Sequence, residues 1–94
     1  MQHFRSPYGS ILLTDERKRH ILEFHPEVRM YLRYFVDTLA KPEYESRSVH
    51  DAAVVICYQY IPRRKRYLAI VVKTGTRPFI LTAYLARKLK QDTL

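Results

Sequence analysis

The chain has 94 residues, which is enough for one domain and too few for two. Its composition, 47% hydrophobic and 28% charged, excludes intrinsic disorder over most of the length, and its single cysteine excludes a disulfide framework. The formal net charge of +8 indicates a polyanionic partner, and no stretch reaches the roughly 18 apolar residues that a membrane span requires.

Two helices are predicted in the first half of the chain. Thr14 is a candidate N-cap, because its hydroxyl can accept a hydrogen bond from a backbone N–H two or three residues on. The first helix is therefore expected to run from about Thr14 to Phe24 and to stop before Pro26, since the residue preceding a proline disfavours the helical region. Pro26 suits the first turn of a second helix, in which apolar residues recur at helical spacing through to Ala40.

The second half of the chain predicts β structure. Residues 52–61 and 66–74 are rich in Val, Ile and Tyr, a turn-like segment separates them, and a third such run covers residues 79–86. Two hairpins would give a three-stranded antiparallel meander, which a strand near residues 44–48 would extend. We therefore predict an α+β fold, with two N-terminal helices packed on one face of a three- to four-stranded antiparallel sheet.

The chain is predicted to form one domain over residues 10–90. Residues 1–9 show no periodicity, so we expect a flexible N-terminal arm, and residues 91–94 are assigned to a C-terminal tail. The first residues lack the apolar run of a signal peptide, which predicts a cytoplasmic protein.

Side-chain alternation sorts the meander into two faces. One face is apolar, includes Leu81 and is expected to lie under the helices. The other face combines Ile80 with aromatic and polar side chains, namely Tyr58, Tyr60, Tyr67, Tyr84, Lys73 and Thr82. Unstacked RNA bases lie on aromatic rings while cations hold the phosphates, so this second face suits RNA. Tyrosine is also a favourable strand residue, which leaves a purely structural role open.

The positive charge is concentrated in the second half of the sequence. Residues 1–51 contain eight Lys or Arg and eight Asp or Glu, whereas residues 52–94 contain nine of the former and a single acidic residue, Asp92. A merely solubilised surface would intersperse the two signs. Three of these nine cations, Arg63, Arg64 and Lys65, lie in the predicted hairpin turn. We therefore expect this turn to bind the RNA backbone.

Two of the four histidines, His20 and His25, lie close together in the sequence. Imidazole exchanges protons near neutral pH. A ribonuclease needs a base for the 2′-hydroxyl, an acid for the leaving 5′-oxygen and cations for the charge that develops on the phosphate. Either histidine could instead be structural, and His25 could merely position a helix start before Pro26.

Two segments resemble the opening and the closing strand of the small phage and bacterial nuclease domains grouped with barnase, EndoU, colicin-type ribonucleases and RelE. They read LTDERKRHILEFHPE at residues 13–27 and ILTAYLARK at residues 80–88. The likeness spans about residues 10–90. It implies two N-terminal helices on an antiparallel sheet and an RNA cut that needs no metal or cofactor and leaves a 2′,3′-cyclic phosphate. It also implies a toxin restrained by a cognate antitoxin or immunity protein.

The resemblance further implies roles for individual residues. His20 would be the acid or the base, with Thr82 and Tyr84 on the active face. Arg87 and Lys73 would neutralise phosphate, and Arg17, Arg47 and His25 would be further candidates for binding the substrate. His20 would have to reach the site from a sheet edge or a helix end, because the predicted helices lie on the face opposite the tyrosines. Otherwise Tyr84 and the arginines would carry the chemistry, as in RelE-like toxins.

Two other functions fit the same sequence. One is a non-catalytic RNA-binding module that uses the tyrosines as a stacking platform. The other is a protein-interaction domain that binds an acidic partner through residues 63–66. Cleavage of RNA separates the nuclease from both.

Overall fold

The computed structural model describes residues 1–90. In chain order the elements are β1 (Gln2–Phe4), β2 (Ile11–Leu13), α1 (Asp15–Phe24), a 3₁₀ helix (Pro26–Tyr34), α2 (Phe35–Ala40), β3 (Tyr44–Arg47), β4 (Val54–Ile61), β5 (Arg66–Lys73) and β6 (Phe79–Ala86). All six strands belong to one sheet in the order β1-β2-β6-β5-β4-β3, which curls into a half-barrel. No helix within residues 1–90 is long and apolar enough to cross a membrane.

The predicted arrangement of two helices on a three- to four-stranded antiparallel sheet is wrong. Across residues 1–90 the fold is dominated by six strands and has only two short α-helices. The sheet is mixed, because β2 runs parallel to β6, with Leu12 opposite Phe79. The extra strands are β1, within residues 1–9 expected to be a flexible arm, and β2, just after them, since Phe4, Ile11 and Leu13 are buried in the core and draw both strands into the sheet. The predicted tail at residues 91–94 lies outside the described residues.

The first helix begins where the sequence predicts. The Thr14 hydroxyl accepts a hydrogen bond from the Arg17 backbone N–H at 3.1 Å, and α1 ends at Phe24. The second predicted helix is mostly a 3₁₀ helix, and only its last six residues, Phe35–Ala40, are α-helical. Val28, Tyr31, Phe35 and Leu39 of this segment are buried in the core, whereas Val36 is exposed.

The three-stranded meander is present as expected, but one register differs. Val71 lies opposite Thr82 while Val72 lies opposite Ile80, so Leu81 is an extra residue in β6. This β-bulge turns Ile80, rather than Leu81, into the core, where Ile80 is fully buried. The face assignment of these two residues was wrong because strict alternation does not survive an inserted residue.

Cys57 lies in the middle of the core and is completely buried. Burial, and then the carboxylate of Glu45, raises the pKa of the Cys57 thiol from 9.0 to about 12. The thiol therefore stays protonated at neutral pH, and it is a packing residue rather than a nucleophile.

The shifted pKa of Cys57 predicts a loss of stability at alkaline pH. Above pH 9 the unfolded chain releases the thiol proton while the folded chain keeps it, so the free energy of unfolding falls as pH rises from 9 towards 12. Urea melts at several pH values should show wild type losing its advantage over Cys57→Ala across that window and keeping it below pH 9. Parallel curves for the two proteins would contradict the assignment.

Candidate functional site

Helix α1 covers the edge of β6 that β2 leaves unpaired. Within residues 1–90, β2 is in register with β6 only at Leu12 and Phe79. Further along β6, the Arg17 guanidinium Nη1 donates a hydrogen bond to the Leu81 carbonyl oxygen at 3.3 Å. A helix that covers a strand edge in this way satisfies exposed backbone groups. The α1 side chains can therefore reach the tyrosine-bearing face around the sheet edge, a route that the sequence analysis required for His20.

The end of α1 brings His25 against Tyr84. His25 caps the helix, with its backbone N–H donating to the Ile21 carbonyl oxygen at 2.7 Å. The imidazole ring centroid lies 5.9 Å from the Tyr84 ring centroid. His25 Nδ1 is also 3.8 Å from a carboxylate oxygen of Glu27, which forms an ion pair when the imidazole is protonated. Sequence reasoning ranked His25 low, yet this histidine contacts a predicted catalytic side chain.

His20 is exposed on the flank of α1 that also carries Arg17. The two residues are three positions apart, which makes them neighbours on a helix surface, and both line a shallow polar depression. The His20 ring packs on the Phe24 ring with centroids 4.6 Å apart. Its imidazole is thus accessible from solvent and lies next to the arginine that contacts β6.

Thr82 and Tyr84 follow the bulge on the same face of β6. Alternate residues of a strand are about 6.6 Å apart, so one phosphodiester can contact both side chains. Tyr84 is half-buried, and burial, followed by the neighbouring Tyr58, raises its pKa above the usual tyrosine value. Its hydroxyl is therefore protonated at neutral pH and is a hydrogen-bond donor rather than a phenolate.

Three tyrosines surround Tyr67 on the same sheet face. The Tyr67 ring centroid lies 5.0 Å from that of Tyr60, 5.9 Å from that of Tyr44 and 6.2 Å from that of Tyr58. Tyr58 is only 1% exposed and its hydroxyl accepts a hydrogen bond from the Lys90 backbone N–H at 3.0 Å. Tyr58, predicted to bind substrate, therefore offers no ring surface to a base, whereas Tyr44 and Tyr60 are exposed.

Tyr44 was not predicted to lie on this face, because the sequence does not give the register of β3. In the structure Tyr44 lies opposite Tyr58, which fixes both side chains on one side of the sheet. The sequence signal that could have indicated this position is the tyrosine at the start of the predicted strand 44–48.

Exposed cations flank the tyrosine cluster. Arg63, Arg64 and Lys65 form the tip of the β4–β5 hairpin, a four-residue turn in which Lys65 has a left-handed φ of 52°. Arg87 is exposed immediately after β6, at the same end of the sheet, because Tyr67 lies opposite Ala86. These four predicted RNA-binding residues therefore lie at one end of the sheet, where the Arg64 guanidinium turns to the helix side, 6.0 Å from the centroid of the Tyr31 ring.

Two other predicted cations lie away from this group. Lys73 is at the opposite end of β5, where its ammonium forms an ion pair with Asp51, which lowers the pKa of that carboxyl. Arg47 is on the edge strand β3 opposite the buried Val55, so it leaves the sheet on the core side, and its Nη1 donates to the Ala52 carbonyl oxygen at 2.7 Å. Lys73 lies opposite Phe79 at the start of β6, away from Tyr84 and Arg87, and Arg47 is separated from β6 by β4 and β5.

The structure thus brings the His25 imidazole to the Tyr84 ring and the Arg17 guanidinium to the Leu81 carbonyl of β6, while His20 lies beside Arg17 on α1. No group of three or more His, Cys, Asp or Glu side chains within residues 1–90 could hold a metal ion. No family model, curated protein or solved structure matches this chain.

Proposed function

We propose that this protein is a metal-independent endoribonuclease whose active site lies where α1 covers the edge of β6. The proposal is carried by one observation, the contact between the His25 imidazole and the Tyr84 ring. It is supported by the Arg17 hydrogen bond to the Leu81 carbonyl and by the net charge of +8. It draws on the two sequence segments that resemble nucleases, and not on the predicted helix-on-sheet fold.

The proposed reaction is an attack by the RNA 2′-hydroxyl on its own 3′-phosphate. A bond forms between the 2′-oxygen and phosphorus, and the bond from phosphorus to the 5′-oxygen breaks. One imidazole, of His20 or His25, accepts the 2′-hydroxyl proton, and the other supplies a proton to the leaving 5′-oxygen. Tyr84 and Thr82 donate hydrogen bonds to the phosphate oxygens, while Arg17 and Arg87 neutralise the developing charge. The products carry a 2′,3′-cyclic phosphate and a 5′-hydroxyl.

RNA cleavage in EDTA tests the proposal. Purified protein and a His20→Ala/His25→Ala double variant, prepared in parallel, are incubated with bulk RNA at low ionic strength. We expect wild type to cut the RNA and the double variant to be inactive while retaining the same melting curve. The proposal would be overturned if wild type left the RNA intact. It would also be overturned if the folded double variant cut RNA equally well, because the activity would then come from a contaminating nuclease.

A non-catalytic RNA-binding module is the second candidate. It is favoured by the exposed rings of Tyr44 and Tyr60 beside the hairpin cations. Such a platform would bind single-stranded RNA by stacking without needing the histidines. Binding without cleavage in the EDTA experiment would select this function. Restraint by an antitoxin or immunity protein stays a prediction of the nuclease proposal alone.

Neutralising the hairpin should weaken RNA binding in a salt-dependent way. Replacing Arg63, Arg64 and Lys65 with Gln removes three charges from an exposed turn, so fewer counterions are released when RNA binds. If all three contact phosphates, the slope of log affinity against log salt should become shallower by about 2. Binding is measured by fluorescence anisotropy across a salt series.

The matched control removes three charges elsewhere. Arg5, Arg29 and Lys41 are exposed and lie outside the proposed surface, so their triple Gln variant has the same net charge as the hairpin variant. We expect it to change the slope much less. Equal slopes for the two triple variants would remove the hairpin from the interface.

A further inference from the structure

A pocket of about 790 Å³ lies near the start of β6, where β2 meets the β5–β6 loop. Its volume is within the range of about 300 to 1,000 Å³ that is typical of small-molecule sites. Leu12, Pro78 and Phe79 form an apolar wall, and His3, Arg17 and Arg77 contribute cationic or titratable groups. His3, Arg77 and Phe79 have no role predicted from the sequence.

The charge of this pocket favours an anionic ligand. Two guanidinium groups and one imidazole line it, and no Asp or Glu is among its lining residues within the described chain. Arginine binds phosphate in a planar, bidentate manner. The hydroxyl-bearing Thr76 adds a further hydrogen-bonding group beside Arg77.

The apolar wall favours a ligand that also has a flat ring. His3 lies opposite Leu12, and Leu12 lies opposite Phe79, so these three side chains form a row on one face of the sheet. That face is the one opposite the core, because Phe4, Leu13 and Ile80 are buried on the other side. Nucleobases stack on aromatic rings of this kind. An anion joined to a flat ring describes a nucleotide.

The pocket and the proposed active site share one residue, Arg17. Arg17 lines the pocket, donates a hydrogen bond to the Leu81 carbonyl and shares a surface depression with His20. The β6 face then continues from Phe79 past the bulge to Thr82 and Tyr84. A nucleotide held in the pocket would direct its sugar-phosphate backbone along β6 towards Tyr84.

We propose that this pocket is a nucleotide subsite that holds one nucleotide of the RNA substrate beside the phosphodiester that is cut. The base packs on Phe79 and Leu12, and the phosphate lies between Arg77 and Arg17. This inference rests on the proposed ribonuclease function and adds the residues that recognise the substrate next to the cleavage point.

Binding of a non-cleavable substrate tests the subsite independently of catalysis. The ligand is a deoxydinucleoside monophosphate, which has one phosphodiester and lacks the attacking 2′-hydroxyl. It is titrated into ¹⁵N-labelled protein. We expect amide shifts at Leu12, Arg77 and Phe79, and an affinity at least about tenfold weaker for Arg77→Gln, as expected from loss of a charge-assisted contact. Phe79→Leu should weaken binding while the apolar wall stays filled.

Three controls define the ligand. Arg29→Gln removes the same charge from the exposed surface of the 3₁₀ helix and should leave affinity within about twofold. Deoxyribose 5-phosphate lacks the base and should bind much more weakly than the dinucleotide. A free nucleoside 5′-monophosphate should also bind more weakly, because it cannot extend along β6.

The outcomes separate the subsite from the nuclease. Amide shifts in the pocket without any RNA cleavage would keep the subsite and overturn the proposed function. RNA cleavage with no shifts in the pocket, or with equal effects of Arg77→Gln and Arg29→Gln, would overturn the subsite alone. If deoxyribose 5-phosphate binds as tightly as the dinucleotide, the pocket is an anion site. If the free mononucleotide binds more tightly than the dinucleotide, the pocket is a site for free nucleotides. Either result also overturns the subsite.

Discussion

Replacing His20 with alanine should lower the rate of RNA cleavage by about 100- to 10,000-fold, the range expected when a general acid or base is removed. The substitution should leave the fold intact. The imidazole is exposed, and its ring contact is with Phe24, which is itself 64% exposed. Single-turnover cleavage of a fluorescent RNA gives the rate, and a thermal melt gives the stability.

Phe24→Ala is the control for His20→Ala. It removes the same ring contact but keeps the imidazole, so cleavage should stay close to wild type. The pH dependence adds a readout that packing would not change, because loss of an acid or base removes one limb of a bell-shaped profile. Full cleavage by a normally melting His20→Ala protein would make His20 structural and leave the proton transfers to His25 and Tyr84.

Tyr84→Phe should lower the cleavage rate by about a hundredfold while RNA binding changes little, because the variant loses only the hydroxyl. That factor corresponds to about 2.7 kcal/mol of transition-state stabilisation. The raised pKa of Tyr84 keeps the hydroxyl protonated, which suits donation to a phosphate oxygen. The phenyl ring keeps its contacts with His25 and with the cluster around Tyr58. Turnover number and binding affinity are measured separately.

Tyr44→Phe is the matched control, since it makes the same chemical change on the same sheet face but on β3, at the far side of the sheet from β6. Its rate should remain near that of wild type. Unchanged turnover in Tyr84→Phe would remove the hydroxyl from the reaction and leave Tyr84 a stacking residue. Loss of folding in Tyr84→Phe would show that the hydroxyl is structural.

Local signals in the sequence predicted the central part of the fold. The Thr14 cap, the stop before Pro26 and the strand 79–86 are all present, because capping, proline sterics and β-branched runs act over a few residues. Strand β1 and the pairing of β2 with the sheet were not predicted, because three-residue strands have too short a pattern and their pairing depends on distant residues. The parallel contact of Leu12 with Phe79 joins positions 67 residues apart (79 minus 12).

The candidate site was only partly readable from the sequence. The motifs singled out His20, Thr82 and Tyr84, but they did not say which histidine would meet the tyrosine. His25 meets Tyr84 because α1 lies beside β6. The helix can lie there because, within the described residues, β2 pairs with β6 at a single position. The prediction that Tyr58 binds substrate also failed because of residues distant in sequence. Leu89 packs against the cluster that contains Tyr58, and the Lys90 backbone N–H donates to the Tyr58 hydroxyl.

The most direct test of the central claim is the chemistry of one cut bond. The protein is incubated in EDTA with a short RNA or with a matched oligonucleotide that has a single 2′-deoxy sugar at the preferred cleavage point. The masses of the products are measured by mass spectrometry. We expect the all-ribose substrate to yield a 2′,3′-cyclic phosphate and a 5′-hydroxyl, and the deoxy substrate to resist cutting at that bond. Cleavage of the deoxy bond, or products with a 5′-phosphate, would contradict the attack by the 2′-hydroxyl and with it the roles assigned to His20, His25 and Tyr84.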